Sequence, residues 1–160
     1  MEHAIHCGIE AFWRNFLDDA FQRGIFRSEL GFSEYHVSKR SDQDGCVRRR
    51  VEITPKLNMP GSVKAVLGAV FSFIEDGELR DGVYRFEMTP GHGFRADSAS
   101  CEGSMRAVAT PDGWTNRIVE VSIAVRIFGV GGMLESFASK AAQETYGAHA
   151  NALNAALAEP

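Results

Sequence analysis

The chain has 160 residues, 44% of them hydrophobic and 24% charged, with 17 basic against 21 acidic side chains and a formal net charge of −4. That is the balance of one ordinary globular domain spanning 1–160, long enough to bury a respectable core. Outside Arg48-Arg49-Arg50 no dense basic run exists to suggest nucleic acid, no apolar run reaches the length of about 18 that would suggest a membrane span, and the start lacks the basic-then-apolar pattern of a secretory signal.

Residues 2–8 read as a short strand, with His3, Ile5 and Cys7 on one face and Ala4 and His6 on the other. Glu10–Leu30 reads as one helix or two short ones: Phe12, Trp13, Phe16, Leu17, Phe21, Ile25 and Phe26 follow helical spacing, and Asp18 or Asp19 is placed to cap a second helix. From Gly31 the period becomes alternating. Phe32–Lys39 and Cys46–Thr54 form a hairpin across Asp42-Gln43-Asp44-Gly45, with Val47, Arg49, Val51 and Ile53 on one face of the second strand and Arg48, Arg50 and Glu52 on the other. Pro55 ends it, and Pro60 starts a short helix within Leu57–Ala69.

Strands resume at Val70–Leu79 and Val83–Met88 across Asp81-Gly82, followed by a loop over Thr89–Ala96. A second clear hairpin joins Asp97–Ala109 to Trp114–Ile127 through Pro111-Asp112-Gly113. After Gly131, Met133, Leu134, Phe137, Ala141, Thr145, Ala148 and Ala152 recur at helical spacing, which predicts one long helix to Leu157 with an apolar stripe packed on the sheet. The fold class is therefore α+β: a curved antiparallel sheet of about six or seven strands with a long C-terminal helix across it and a short helical pair after the first strand.

This order of elements resembles the helix-grip fold of the START-like (SRPBCC) superfamily, which includes START lipid-transfer domains, birch-pollen-allergen-like proteins and polyketide cyclases. The local marks are the amphipathic Phe12-Trp13 segment, the Arg-rich strand ending in Thr54-Pro55, and Phe128-Gly129-Val130-Gly131-Gly132-Met133-Leu134-Glu135 at the opening of the last helix. They look closest to an uncharacterised bacterial branch of polyketide-cyclase and lipid-transfer-like proteins. The resemblance covers nearly the whole chain and implies a cavity between sheet and last helix for apolar small molecules, with no universal catalytic motif.

The sequence offers one independent sign of such a cavity. Small residues recur on one strand face (Ala99, Cys101, Gly103) and along the late helix (Ala141, Ala148, Ala152). Protein interiors pack near crystal density, so two opposed small rows leave space unless aromatics such as Tyr35, Phe71, Phe73 or Phe86 fill it. The candidate ligand-binding residues on these faces are Tyr35, Arg49, Val51, Phe73, Glu75 and Phe86. Ala99, Cys101, Val121, Phe137 and Ala141 complete the set.

Arg49 shares the inward face of Val47, Val51 and Ile53, where an unpaired guanidinium is expensive. It either meets a polar group of a ligand, or pairs with Glu75 or Glu87, or reaches the rim. Glu75 follows Phe71 and Phe73 at period two, as Arg49's partner, as a general acid or base, or as a solvated strand end. Tyr35 and Tyr146 offer hydroxyls to a pocket or simply pack. His3, His6, His36, His92 and His149 complete no metal pattern; neither do Cys7, Cys46 and Cys101, whose odd number and wide spacing fit reduced thiols in a cytoplasm.

No G-x-S-x-G occurs, and Gly91-His92-Gly93 lacks the setting of a phosphate loop. Gly129–Gly132 reads as a turn out of the sheet rather than an anion site, and Arg48 and Arg50 as solvated, partly paired residues. The leading function is binding of an apolar or amphipathic small molecule (lipid, fatty acid, polyketide or isoprenoid) with no metal or organic cofactor. The alternatives are a cyclase- or dehydratase-type enzyme using Glu75, Tyr35 and Arg49, and a protein-interaction module.

Overall fold

The computed structural model of the chain describes residues 1–68, 70–91 and 98–158. Strand β1 (Glu2–Ile5) leads into helices α1 (Ile9–Phe16) and α2 (Asp19–Gly24), the latter running on into a π-helical turn over Ile25–Glu29. Then come β2 (Glu34–Gln43), β3 (Cys46–Thr54), helix α3 (Gly61–Leu67), β4 (Phe73–Arg80), β5 (Val83–Pro90), β6 (Ala99–Ala109), β7 (Thr115–Val125) and the long α4 (Gly131–Ala158). The strands form one seven-stranded sheet in the order β1-β7-β6-β5-β4-β3-β2, every pair antiparallel. This is the α+β helix-grip arrangement the element order suggested. No helix among the described residues is long and apolar enough to cross a membrane.

Local chemistry sets the boundaries. Asp18 caps α2, its Oδ1 accepting from the backbone N–H groups of Ala20 at 3.0 Å and Phe21 at 2.9 Å. The β2–β3 and β4–β5 turns are tight two-residue turns, Asp44-Gly45 with φ of 52° and 70° and Asp81-Gly82 with φ of 52° and 72°; Asp tolerates this left-handed region and Gly is at ease in it. Strand β2 consequently runs four residues beyond the Lys39 expected for it, with a register shift between Val37 and Lys39. Strand β4 begins at Phe73 rather than Val70, paired there with Pro90, and one further backbone bond from Gly91 N–H to the Ser72 carbonyl at 2.7 Å closes the ladder. Val70 is left 69% exposed. The loop expected at Thr89–Ala96 with His92 and Gly93, the strand start at Asp97, and Ala69 and Glu159 fall wholly or partly outside the described residues.

Among the described residues, packing separates into three apolar groups. One joins Ile5, Phe12, Tyr84, Phe86, Met105, Val119, Ala150 and Leu153, bringing α1 and the C-terminal half of α4 onto the sheet. A second holds Phe32, Tyr35, Val51 and Ile53 under Phe26 and Leu30, and a third wraps Met59 and Val63 around Leu134 at the start of α4. Helix α4 lies closely on β7 and β1.

The stripe α4 presents to the sheet differs from the expected one in its later half. Leu134, His149, Ala150 and Leu153 are buried, whereas Met133 and Ala148 are exposed, and Ala148 and Ala152 line a groove on the outer side with Glu29, Leu30 and Lys56. The small residues are not the buried ones here: the stripe runs one position later, through Ala142, Tyr146, His149 and Leu153. The strand row also splits. A Cβ on Gly103 would lie 2.5 Å from the Phe86 ring, so that space is filled, and one on Gly77 would overlap the Tyr84 hydroxyl. Two aromatic rings thus close the sheet's inner face at one end, leaving the space over Ala99 and Cys101 open.

Candidate functional site

That open space is a cavity of about 230 Å³ between α4 and the inner face of the sheet. Its floor is Ile53, Phe73, Glu75, Met88, Ala99, Cys101, Val121, Ile123 and Val125; its roof is Leu134, Phe137, Ala138, Ala141, Ala142, Thr145, Tyr146 and His149; Phe26, Phe32, Leu57, Leu67 and Phe71 flank it. The void exists because alanines occupy the middle of α4 where leucines or phenylalanines would reach the floor. For scale, a dry apolar void of about 150 Å³ admits benzene, and drug-sized ligands need roughly 300–1,000 Å³.

Of the eleven residues the sequence singled out, Phe73, Glu75, Ala99, Cys101, Val121, Phe137 and Ala141 come together on this wall. Tyr35, Arg49, Val51 and Phe86 do not line it. Val51 and Tyr35 are sealed in the Phe32–Ile53 group, with Tyr35 stacked on Phe26 at a ring-centroid distance of 4.5 Å, and Phe86 is spent covering Gly103. Burial pushes the Tyr35 hydroxyl up to about 12 despite the opposing pull of Arg49.

Arg49 lies behind the wall. Its Nε donates to the Tyr84 hydroxyl at 3.1 Å and one terminal nitrogen to the Phe16 carbonyl at 3.0 Å, while its guanidinium sits 4.2 Å over the Phe16 ring. Its other terminal nitrogen is 4.0 Å from Glu75 Oε1, which takes the Tyr84 O–H at 2.5 Å. Burial alone would favour losing the guanidinium proton; Tyr35, Tyr84 and Glu75 outweigh it and hold Arg49 above its ordinary value. Tyr84 is pushed well up by burial and by Glu75, so it stays a neutral hydroxyl. Glu75, not Glu87, is therefore the carboxylate beside Arg49: Glu87 is exposed on the other face. Arg48 and Arg50 also face outward, bonded to Glu78 and Asp76 directly across the β3–β4 ladder.

Sequence reasoning missed a second buried polar chain. Arg117 on β7 is 1% exposed and has no acidic partner among the described residues. One of its terminal nitrogens donates to His149 Nδ1 at 2.8 Å and the other to the Tyr146 carbonyl at 2.7 Å. His149 Nε2 then carries the proton and donates to Gln22 Oε1 at 2.9 Å, and the Gln22 amide donates to the Asn15 carbonyl at 3.0 Å. Burial first, then the charge of Arg117, holds His149 neutral, its pKa down to about 3. The available signal was the inward alternation of Thr115, Arg117 and Val119 on one strand. Tyr146, raised far above its normal value by burial and by Glu75, and Cys101, raised to about 11 by the same two causes, complete the polar end of the cavity as neutral groups.

Two solved structures share this architecture across almost their whole length. The crystal structure of Ara h 8.0201 matches with a TM-score of 0.64 at 11% identity, covering 97% of this chain and 93% of that one. A conserved protein from Geobacillus kaustophilus matches at 0.61 and 11%, covering 98% and 92%. At such identities the likeness shows the fold alone. No curated protein matches the chain in sequence. The model of one family, described as "Protein of unknown function (DUF2505)", matches residues 1–157, and the chain belongs to that family.

Proposed function

We propose that the chain is a single-domain binding protein for a compact hydrophobic small molecule held between α4 and the sheet, and that the family is a bacterial branch of the START-like superfamily. The observation that carries this is the apolar cavity of about 230 Å³, left open by alanines on α4 and by Ala99 and Cys101 on β6. Its size favours a short isoprenoid or a small polyketide-like ring over a full-length lipid or fatty acid. A cytoplasmic setting belongs to the same proposal, supported by Cys7, Cys46 and Cys101 all being free thiols.

The test is occlusion. Ala142 lines the cavity and not the outer groove, so Ala142→Phe places a ring in the void. Organic extraction and mass spectrometry of the purified protein are expected to release a small apolar compound from the natural chain and none from Ala142→Phe. Equal yields from both would place the compound elsewhere. An enzyme remains the second reading because Glu75 and Tyr146 line one void; turnover of the extracted compound would favour it.

A further inference from the structure

We infer that the cavity selects a neutral ligand bearing a hydroxyl, an alcohol or phenol whose O–H donates to Glu75 Oε2, over a carboxylic acid of the same shape. This rests on the cavity being the ligand site.

Glu75 is the only formally charged side chain on the cavity wall among the described residues. Its Oε1 is committed to the Tyr84 hydroxyl and lies beside Arg49. None of the described residues donates a hydrogen bond to Oε2. The wall therefore carries an acceptor held in place from behind, next to apolar space.

The neighbouring cations do not make this a site for acids. Arg49 is absent from the wall, with its donors turned to Tyr84 and the Phe16 carbonyl. Arg117 is absent too, bound to His149 and the Tyr146 carbonyl. A carboxylate ligand would meet a like charge in a low-dielectric space without reaching either guanidinium. An ammonium would add a third charge to a pair that Arg49 already balances. A neutral O–H completes the carboxylate's hydrogen bonding and adds no charge. Tyr146 and Cys101, neutral and on the same wall, leave that preference intact.

Three matched probes separate the inference from the reading beneath it: naphthalene, 2-naphthol and 2-naphthoate, titrated calorimetrically into the full chain after solvent extraction, at pH 7. Naphthalene is expected to bind, 2-naphthol to bind about tenfold or more tighter than 2-naphthoate, and Glu75→Gln to shrink that ratio several-fold. The natural chain decides the point even if Glu75→Gln does not fold. If naphthalene binds and 2-naphthoate equals or exceeds 2-naphthol, the selectivity is overturned and the cavity survives. If none of the three binds, the cavity reading fails and the selectivity with it.

Discussion

Arg49→Met is expected to destabilise the fold by about 3–5 kcal/mol, read as a lower denaturant midpoint at constant slope. The side chain is nearly isosteric along its stem, so lost packing is small. What is lost is the cation. Glu75 stays buried beside it with only the Tyr84 hydroxyl, and the Phe16 carbonyl that ties α1 to the sheet loses its donor. Removing one member of a buried pair costs more than removing both, because the remaining charge has no water to return to. The double variant Arg49→Met with Glu75→Leu should therefore recover part of the loss. A single variant as stable as the natural chain would mean that Glu75 and Arg49 are not coupled.

His149→Leu is expected to cost about 3 kcal/mol, since it strips a hydrogen bond from a buried cation and leaves Gln22 Oε1 without a donor. It should also change the acid limb of the stability curve. The folded-state pKa of His149 lies near 3 against an ordinary 6.5, so the unfolded chain binds the extra proton first. Its contribution is complete above about pH 6.5 and is lost as pH falls toward 3, at up to about 1.4 kcal/mol per pH unit. The charges bearing on it come from Arg117 on β7, Arg49 on β3 and His3 on β1, and all three oppose protonation. His3, itself lowered by burial and by Arg117, adds to the same slope. Denaturation at pH 7 and pH 5 should show a smaller drop in His149→Leu than in the natural chain. Equal drops would place the acid sensitivity elsewhere.

The parts of this protein legible in its sequence were those written as periodicity. The alternation of Val47, Arg49, Val51 and Ile53 put Arg49 on the inner face, and the paired hairpins with the long final helix defined the fold. Period two put Glu75 on the same face as Phe71 and Phe73, with a partner for Arg49, an acid or base, and a solvated strand end all open; it lies on the cavity wall with its Oε1 beside Arg49. The late face of α4 was less legible. Ala148 and Ala152 look like core by hydropathy, yet the helix turns them outward and buries His149 instead. A histidine becomes a core residue only when another element supplies its hydrogen bonds, here Arg117 and Gln22, distant in sequence by 32 and 127 positions. The extent of the void was equally hidden, because it depended on Phe86 folding over Gly103 and not over Cys101.

The direct test of the central claim is a crystal of the chain, stripped of bound compounds, under xenon pressure. Xenon enters apolar voids and marks them by its scattering. A strong peak bounded by Cys101, Val121, Ala138 and Ala142 is the expected result. Absence of xenon there, with side chains of α4 and the sheet in contact across that volume, would contradict it.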